Sequence, residues 1–326
     1  FTSCYSIVKM PIDLAFTCRY CHSTQGTNFL ATERMLGLGG EFTYTSCTSC
    51  GSIQLSAIPE DLGPYYPSEY YSFSSLQPSG LLRNLLKKIR IQAYFATGLK
   101  LFLPPFGGHW LKKLSPRVTE RIADVGCGNG QLLYELHVSG FENLHGFDPF
   151  LEKSSQLGRG LTLWNKEFGQ TDLYFDVVML HHSFEHMADP QQVFKTCFER
   201  LNPGGRLLVR CPVADAAVWK EKQSLWVQLD APRHLTIPST QGFVAAAQRA
   251  GFEVQEVVFD STAFQFWGTA GYEQGEKLDR RKISALFSEK QLVEWEQKAI
   301  QYNQEGIGDQ ACFFCIKPGK KVEDRV

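Results

Sequence analysis

The feature that most constrains the fold of this chain is the stretch RIADVGCGNG at residues 121–130. A short apolar run leads into three glycines at alternate positions, and a helical pattern with Leu132, Leu133 and Leu136 on one face follows. Glycine suits such a turn because a Cβ would block both the turn and the close approach of a ligand to the backbone. The stretch therefore predicts a buried strand, a glycine turn and a helix whose free N–H groups face a ligand.

The spacing of these glycines distinguishes between kinds of nucleotide-like ligand. Dinucleotide-binding turns read G-x-G-x-x-G, whereas Gly126, Gly128 and Gly130 give G-x-G-x-G, preceded by Asp124. The end of the next predicted strand, LHGFDPF, supplies a second acid, Asp148. This combination resembles motif I of the class I S-adenosylmethionine (SAM)-dependent methyltransferases, which is an acid followed by G-x-G-x-G. A glycine turn in an unrelated α/β protein is the alternative.

The resemblance implies that SAM is the cofactor and that it lies on the glycine turn. A carboxylate at the end of the second strand can accept both ribose hydroxyl protons, which fixes the sugar. The expected cofactor-binding residues are Asp124, Gly126, Cys127, Gly128, Asn129, Gly130, Asp148, Pro149 and His181. The segment GLTLWNKEF lacks the acid that many relatives place beside adenine, so the adenine-contacting residue stays unassigned.

From about residue 119 the pattern alternates between strand and helix, which is typical of a parallel sheet with helices on both faces. The predicted strands are 121–125, 144–148, 175–180, 206–211, 253–259 and 311–317, and the predicted helices are 129–139, 190–201 and 239–250. We therefore expect an α/β fold with a doubly wound, mostly parallel, Rossmann-like sheet. Ligands of such sheets bind beyond the carboxyl ends of the strands. Cys312 and Cys315 lie in the last strand, where i and i+3 side chains face opposite sides, so both are predicted as core.

Two C-x-x-C pairs near the N-terminus indicate a metal site. Cys18 and Cys21 are separated from Cys47 and Cys50 by 25 residues, and each pair sits among polar, turn-forming residues. Two such knuckles complete a tetrahedral site of four thiolates, which is typical of structural Zn²⁺ with no open position for catalysis. We predict a zinc ribbon in residues 1–58. A redox dithiol is the competing interpretation, but it needs only one pair and a βαβ setting.

Residues 59–118 are predicted as a linker followed by a helix. The segment PEDLGPYYPSEYYSF is dense in Pro and Tyr. It is interpreted either as a strap between domains or as a lid whose tyrosines close over cofactor and acceptor; those tyrosines are Tyr65, Tyr66, Tyr70 and Tyr71. Among them Tyr70 and Tyr71 are predicted to contact the substrate.

An amphipathic helix is predicted over residues 81–96. Its apolar positions follow helical spacing at Leu82, Leu85, Leu86 and Ile89, and its other face carries Arg83, Lys87, Lys88 and Arg90. The basic run is interpreted as a solvated face, although it would also suit an anionic acceptor such as a nucleotide sugar.

The segment FDVVMLHHSFEHMADP runs from a buried strand into a loop that should carry chemistry. Methyltransferases similar to this chain often have E-H followed by D-P there, and this chain has Glu185 and His186 before an Asp-Pro helix cap. His186 is predicted as a general base on an acceptor hydroxyl, assisted by Glu185, because the pKa of histidine lies near neutral pH. His182 is predicted to contact the substrate. The alternative is that His181 and His182 only pack against cofactor and sheet.

The residues of the same loop are compatible with two kinds of metal site. The letters H-x-x-E-H match a metalloprotease signature, but that motif requires a helix and these residues precede a helix cap. The ubiquinone-pathway O-methyltransferases, which this chain also resembles, have E-x-x-E-H here and can use it to hold a divalent cation. His182 replaces the first acid in this chain, so a second metal remains an open alternative.

After the predicted strand at 206–211, the run LDAPRHLTIPS carries Asp230, Arg233 and His234. Together with the zinc knuckles, YYPSEYY and FQFWGTAGY, it is similar to bacterial methyltransferases associated with glycan and polysaccharide biosynthesis. That resemblance implies that Arg233 contacts the acceptor and makes His234 a further candidate base. An Asp230–Arg233 ion pair that braces the loop is the equally weighted alternative.

Composition excludes some classes of protein. The formal net charge is −1, so no overall basic field favours nucleic acid. No run of about 18 apolar residues indicates a membrane span, and FTSCYSIVKMPIDL lacks the pattern of a secretory signal. The spacing of the ten cysteines favours a reduced, cytoplasmic protein over a disulfide framework.

These observations predict a methyltransferase domain at 119–318 and a polar tail at 319–326, after the ribbon and the linker. The expected function is SAM-dependent methyl transfer to a small-molecule or glycan acceptor, such as a nucleotide-linked sugar or a surface-polysaccharide precursor. Two alternatives remain: an O-methyltransferase for a small aromatic or quinone, and a non-catalytic SAM-binding zinc-ribbon protein that binds nucleic acid. The sequence does not indicate the oligomeric state.

Overall fold

The computed structural model describes residues 16–67, 76–104 and 108–319. Its strands fall into one eight-stranded and one four-stranded sheet. In chain order they are β1 (Gly26–Thr32), β2 (Glu41–Cys47), β3 (Ile53–Leu55), β4 (Ile122–Val125), β5 (Leu144–Phe147), β6 (Ser155–Gly158), β7 (Leu161–Trp164), β8 (Phe175–His181), β9 (Leu201–Pro212), β10 (Thr236–Ile237), β11 (Glu253–Phe259) and β12 (Gln310–Ile316).

Helices cover the sheets and connect their strands, with short 3-10 turns between them. They are α1 (Leu81–Thr97), α2 (Gly108–Leu114), α3 (Gln131–Val138), α4 (Pro190–Arg200), α5 (Ala217–Lys222), α6 (Thr240–Arg249), α7 (Phe264–Glu273), α8 (Ile283–Leu286) and α9 (Glu289–Gln304). Within these described segments, no helix combines the length and the apolar character that crossing a bilayer requires.

The large sheet has the strand order β11-β12-β9-β8-β4-β5-β7-β6. Its centre is parallel, because β4 pairs in parallel with β5 and β8, β5 with β7, and β8 with β9. The strand β12 is antiparallel to both of its neighbours. The chain order therefore reverses between β4 and β8, which is where open α/β sheets bind ligands. The predicted α/β fold with a doubly wound, mostly parallel sheet is confirmed.

The centre of the large sheet is formed by apolar side chains on both faces. All four residues of β4 are buried, as a central parallel strand requires. On β12, Cys315 packs in the core on one face of the sheet and Cys312 in the core on the other, which confirms both as core cysteines. The nine described cysteines are all free thiols.

Several described elements differ from the sequence-based expectation: the predicted lists lack β6, β7, β10, α5, α7, α8 and α9, and the start of β9 is displaced. The pattern did not indicate α7, because it is buried on most sides and so lacks a polar stripe. It also did not indicate α9, although Ser288 and Gln291 form a capping box at its start. The strand β9 begins at Leu201 instead of residue 206, since Leu201 already pairs with Phe175 of β8 before a register shift, after which Arg206 pairs with Val177.

The small sheet joins the N-terminal segment to a segment far downstream. Strands β1, β2 and β3 form an antiparallel meander, and β10 pairs antiparallel with β3 through Thr236 opposite Gln54. Tyr44 donates its hydroxyl proton to the carbonyl of His234 (2.9 Å), and the Tyr20 hydroxyl lies 2.9 Å from Thr236 Oγ1. The segment 230–237 is therefore held against the small sheet.

A buried guanidinium reinforces this junction. Arg233 has no exposed surface, and its Nη2 lies 2.9 Å from Glu33 Oε1 and 2.6 Å from Asp230 Oδ1. A second bond runs from Arg233 Nε to Asp230 Oδ2 at 2.9 Å. Glu33 also accepts the backbone N–H groups of Leu36 and Leu38. The buried guanidinium is therefore paired with two carboxylates, and the backbone N–H groups stabilise the additional negative charge of Glu33.

The helix α1 forms at the predicted place, but its apolar face points outward. The leucines at 81, 82, 85 and 86 and Ile89 are all exposed, whereas Ile91 and Tyr94 on the opposite side are buried. Lys87 forms an ion pair with Glu135 of α3 at 2.8 Å instead of lying in solvent. The sequence pattern had implied the reverse orientation, because an isolated amphipathic helix is expected to turn its apolar side to the core.

We predict that Arg233→Ala lowers the free energy of unfolding by about 3–5 kcal/mol, because it leaves two buried carboxylates without their counter-charge. Arg281→Ala is the matched control, since Arg281 pairs with Asp279 at an exposed position and should cost less than about 0.5 kcal/mol. Reversible denaturant unfolding measures both. Equal effects of the two substitutions would show that the buried cluster does not join the two segments.

Candidate cofactor and catalytic site

The glycine turn after β4 has a backbone that only glycine adopts without strain. Gly126, Gly128 and Gly130 have φ of 76°, 51° and 78°. A Cβ on Gly126 would overlap the side chain of Ser183, and one on Gly130 would lie 2.7 Å from Leu163 Cδ1. The turn is therefore pressed against the loop after β8 on one side and against β7 on the other.

The acid at the end of β5 closes the turn. Asp148 Oδ2 accepts the backbone N–H of Gly128 (2.9 Å), and Oδ1 accepts the N–H of Phe150 (2.9 Å). These two bonds hold the carboxylate beside the glycine turn, and each oxygen retains a lone pair for a ligand hydroxyl. The Phe150 ring is exposed and lies nearly parallel to the ring of Tyr66, with centroids 6.5 Å apart.

The leading acid of the motif is buried and incompletely bonded. Asp124 is only 3% exposed, and its Oδ1 has no hydrogen-bond partner among the described residues. Burial, together with the nearby carboxylate of Asp148, raises the pKa of Asp124 to about 7. A buried acid of this kind suits a cationic ligand, because a positive charge beside it would offset both effects.

The loop at residues 181–189, called here the histidine loop, is attached to the glycine turn. Ser183 Oγ donates to the carbonyl of Val125 at 2.6 Å. His181, at the end of β8, packs its ring on Trp110 with centroids 4.5 Å apart. His182 has a left-handed backbone with φ of 51°, which turns the chain sharply away from the strand. Motif I and the histidine loop therefore share one edge of the sheet.

A chain of hydrogen bonds fixes the charge of Glu185. Arg210 Nη1 lies 2.9 Å from His182 Nε2, and because arginine only donates, that nitrogen accepts and His182 Nδ1 carries the proton. His182 Nδ1 lies 3.5 Å from Glu185 Oε1. Burial opposes ionisation of Glu185, but the His182 bond and the neighbouring His234 and His186 lower its pKa to about 2. Glu185 is therefore an anion at neutral pH.

His186 is oriented with one nitrogen available. Its Nδ1 lies 2.9 Å from the carbonyl of Arg233, and a carbonyl only accepts, so Nδ1 carries the proton. The hydroxyl oxygen of Tyr66 lies 3.1 Å from the same nitrogen. In the neutral ring, Nε2 then has the lone pair that general base catalysis requires. The side chain is half-buried and so remains accessible from the sheet edge.

His234 lies beside His186 and, like His186, carries its proton on Nδ1. Its Nδ1 donates to the carbonyl of Gln228 at 2.7 Å, and its Nε2 lies 3.8 Å from Asp230 and 3.9 Å from Glu185. Burial and the neighbouring His186 lower the pKa of His234 to about 4, so the ring is neutral at neutral pH. The rings of His186 and His234 meet edge to face with centroids 4.8 Å apart.

Ligand atoms of Glu185, His186 and His234 all lie within 4.8 Å of one another. Glu185 Oε2 has no hydrogen-bond partner among the described residues. The group can therefore take up a proton or, as an alternative, a divalent cation. His182 is not in this group, because Arg210 and Glu185 use both of its ring nitrogens.

The four N-terminal cysteines converge. All four Sγ atoms lie within 4.8 Å of one another, with Cys18 and Cys50 3.6 Å apart and Cys21 and Cys47 3.5 Å apart. A Zn–S bond of about 2.3 Å in a tetrahedron gives S···S separations of about 3.8 Å, so the arrangement fits such an ion. The hydrogen bond between Cys18 and Cys50 lowers the pKa of Cys50 and raises that of Cys18, so this pair shares one proton, which a metal ion would displace on binding both sulfurs.

The structure places most of the predicted site residues at one edge. The glycine turn, both acids, His181, Glu185, His186 and His234 lie there, whereas Tyr70 and Tyr71 lie outside the described residues. Arg233 is enclosed by two carboxylates, and the ion pair with Asp230 is present. Sequence reasoning did not identify Ser183, Gln228 or Arg210, because their contacts depend on tertiary packing and no local pattern signals them.

The strand order, the antiparallel strand beside β9, and the glycine turn between two acids define the Rossmann-like fold of the class I SAM-dependent methyltransferases. Comparison with known proteins agrees. Residues 99–257 match a family model described as a methyltransferase domain.

Individual relatives are distant. A tRNA U34 carboxymethyltransferase of Helicobacter pylori is 25% identical over 161 residues, which is 45% of this chain and 62% of that protein. A ubiquinone biosynthesis O-methyltransferase of Pseudomonas syringae is 27% identical over 114 residues, 32% of this chain and 49% of that protein. The chain thus spans less than two thirds of the length of these curated relatives. A SAM-dependent methyltransferase structure from Mesorhizobium loti aligns with a TM-score of 0.42 at 16% identity, over 64% of this chain and 95% of that one.

The raised pKa of Asp124 predicts a pH-dependent cost to stability. The folded protein retains the proton up to about pH 7, whereas the unfolded chain releases it near the ordinary pKa of 3.8. The contribution of Asp124 to the free energy of unfolding is therefore greatest below that pKa and falls as pH rises through this window. Asp124→Asn should consequently gain stability over the unmodified protein by up to a few kcal/mol at pH 8, at about 1.4 kcal/mol per pKa unit.

Denaturant unfolding between pH 4 and pH 8 measures this difference. Asp172→Asn, in an exposed loop, is the control and should show no such trend. A stability difference between Asp124→Asn and the unmodified protein that stays constant with pH would contradict the buried-acid assignment.

Proposed function

We propose that this protein is a SAM-dependent methyltransferase that acts on a hydroxyl group of a small-molecule or glycan acceptor. The observation that carries the proposal is the contact of the histidine loop with the glycine turn through Ser183, Val125 and Gly126. Because the histidine loop is attached here to the sheet edge that also holds Asp124 and Asp148, the contact supports His186 as the proposed base.

The residues of the glycine turn fit the proposed cofactor. Asp148, fixed by Gly128, is placed to accept ribose hydroxyl protons, and the partnerless oxygen of buried Asp124 suits the positive end of the same molecule. The exposed Phe150 ring beside Asp148 offers a flat apolar surface for a base. Bound there, SAM supplies the methyl group that is transferred to the acceptor.

His186 is the proposed general base. The carbonyl of Arg233 holds Nδ1–H, so Nε2 faces the acceptor side and can take the hydroxyl proton as the oxygen becomes a nucleophile. The anionic Glu185 close by stabilises the imidazolium that results. His234, neutral and more deeply buried, is the second candidate, and the third alternative is a divalent cation held by all three side chains. Positioning supplies most of the rate of an in-line displacement, so each substitution here should act chiefly on turnover.

The proposed acceptor is a sugar of a nucleotide-linked or surface-polysaccharide precursor. The resemblance of DAPRHL, YYPSEYY and the N-terminal knuckles to glycan-associated methyltransferases supports it. The relatives that act on tRNA and in ubiquinone biosynthesis leave two other acceptor classes to test. We further propose that Tyr70 and Tyr71 contact the acceptor, and the contact of Tyr66 in the same tyrosine-rich sequence with His186 supports this.

We also propose a structural zinc ion at Cys18, Cys21, Cys47 and Cys50. Cys18, Cys47 and Cys50 are buried in the same core that packs against the large sheet. The next residues, Arg19 and Tyr20, bond to Leu235 and Thr236, so the knuckle supports the segment that carries His234. All four ligand positions would come from the protein, which leaves none for an acceptor.

For the base, His186→Ala should retain SAM affinity by calorimetry and lower turnover by about 10²-fold or more, because it removes only proton transfer. His137→Ala, on α3 away from the edge, is the matched control and should retain turnover.

Transfer of labelled methyl from SAM, assayed on nucleotide sugars, quinone precursors and tRNA in parallel, identifies the acceptor class. If the unmodified protein did not bind SAM, the proposed methyltransferase function would be refuted. If His186→Ala kept the turnover of the unmodified protein, only the assignment of His186 as the general base would be refuted.

For the metal, elemental analysis of the purified chain should find about one zinc ion per molecule, the stoichiometry of a four-thiolate site. Cys21→Ser should lose the ion, because one of its four ligands is replaced by a much poorer one. Cys127→Ser, which lies at the glycine turn, should retain it. Zinc content that is zero in the unmodified protein, or equal in both variants, would contradict the site.

A further inference from the structure

The helix α1 exposes a continuous apolar strip. Leu81, Leu85 and Ile89 are spaced four residues apart and so lie in one row, with Leu82 and Leu86 in the adjoining row. Their exposed fractions run from 53% for Ile89 to 90% for Leu81. The strip continues into the following 3-10 turn through Leu99 and Leu101, which are 56% and 79% exposed. Isolated exposed leucines are common on proteins, whereas a continuous strip of this kind indicates an interaction surface.

The charges around this strip have one sign. The helix LLRNLLKKIRIQAYFAT contains four basic residues and no acid, although the whole chain has a formal net charge of −1. Helical spacing places the exposed Lys88 along one side of the strip and the exposed Arg83 along the other, whereas the half-buried Arg90 donates to the carbonyl of Leu103. An apolar strip between basic margins is the arrangement of helices that lie in the interface of an anionic bilayer.

The segment just before α1 is hydrogen-bonded to the start of α3, close to the candidate site. The backbone N–H of Gln77 donates to Gln131, and that of Ser79 donates to the hydroxyl of Tyr134, both on the first turns of α3. The helix α3 begins directly after the glycine turn. The start of α1 therefore lies near the sheet edge that holds motif I and the histidine loop.

We propose that α1 and the turn after it form a docking surface for an anionic phospholipid bilayer. The leucines and Ile89 enter the boundary between headgroups and acyl chains, and the basic margins contact the lipid phosphates. A second copy of the chain fits less well, because two such faces would bring like charges together. This surface does not depend on the proposed catalytic function, although it would bring the site edge close to acceptors that are attached to lipid.

The test is co-sedimentation of the full chain with vesicles of equal parts phosphatidylglycerol and phosphatidylcholine. We expect binding to these vesicles, weak binding to pure phosphatidylcholine, and a loss of binding as salt is raised. Leu85→Glu/Ile89→Glu should reduce the partition coefficient by at least about tenfold, since two charges would enter the apolar layer. Val293→Glu/Ile300→Glu on α9 is the matched control, because these residues are 51% and 57% exposed, and it should bind like the unmodified chain.

The basic margins are tested separately. Arg83→Glu/Lys88→Glu should abolish the preference for phosphatidylglycerol, whereas Arg281→Glu/Lys290→Glu, which changes the net charge equally, should preserve it. Thermal unfolding of every variant checks that the fold is intact.

Three results would overturn the proposal. They are no binding of the unmodified chain at low salt, equal binding of both apolar variants, and sedimentation velocity showing a dimer that Leu85→Glu/Ile89→Glu dissociates. The last of these would assign the strip to a second copy of the chain.

Discussion

The buried guanidinium of Arg233 links the N-terminal sheet to the segment at residues 230–237. Glu33 comes from the N-terminal segment and Asp230 from the segment that follows β9, and Arg233 pairs with both. Its backbone carbonyl also accepts the proton of His186 Nδ1, and the next residue is His234. The ion cluster therefore does more than join two sheets. Because removing one partner would leave uncompensated buried charge, the geometry of both histidines is tied to the stability of the junction.

The surroundings of the candidate site shift the pKa values of two similar carboxyl groups in opposite directions. Both acids are buried at the same edge of the sheet. Hydrogen bonding and the neighbouring histidines lower the pKa of Glu185, whereas burial beside the carboxylate of Asp148 raises the pKa of Asp124. Carbonyl acceptors fix the tautomers of His186 and His234 in the same sense, so both present an unprotonated Nε2. Such divergence between similar groups is typical of functional sites, because each group is tuned by its surroundings to one role.

The sequence pattern predicted the features that depend on interactions between residues close together in the chain. The glycine turn, the Asp-Pro cap of α4 and the helices α3, α4 and α6 were foreseen because backbone sterics and capping act within a few residues. The tautomers of His182 and His186, the role of Ser183 and the enclosure of Arg233 were not, since each depends on a partner distant in sequence. The orientation of α1 shows the same limit. Its amphipathic pattern was correct, but periodicity cannot indicate which face the rest of the protein covers.

The pairing of β10 with β3 also constrains how the chain can fold. The small sheet is completed only when residues near 237 are available, long after its first three strands have been synthesised. Contacts of such large sequence separation slow folding, because a long loop must close before they form. Until then β3 presents an unpaired edge, which is a site for non-native association. Formation of the complete N-terminal sheet therefore requires β9 and the segment that follows it, so a chain truncated before residue 236 would leave both sheets incomplete.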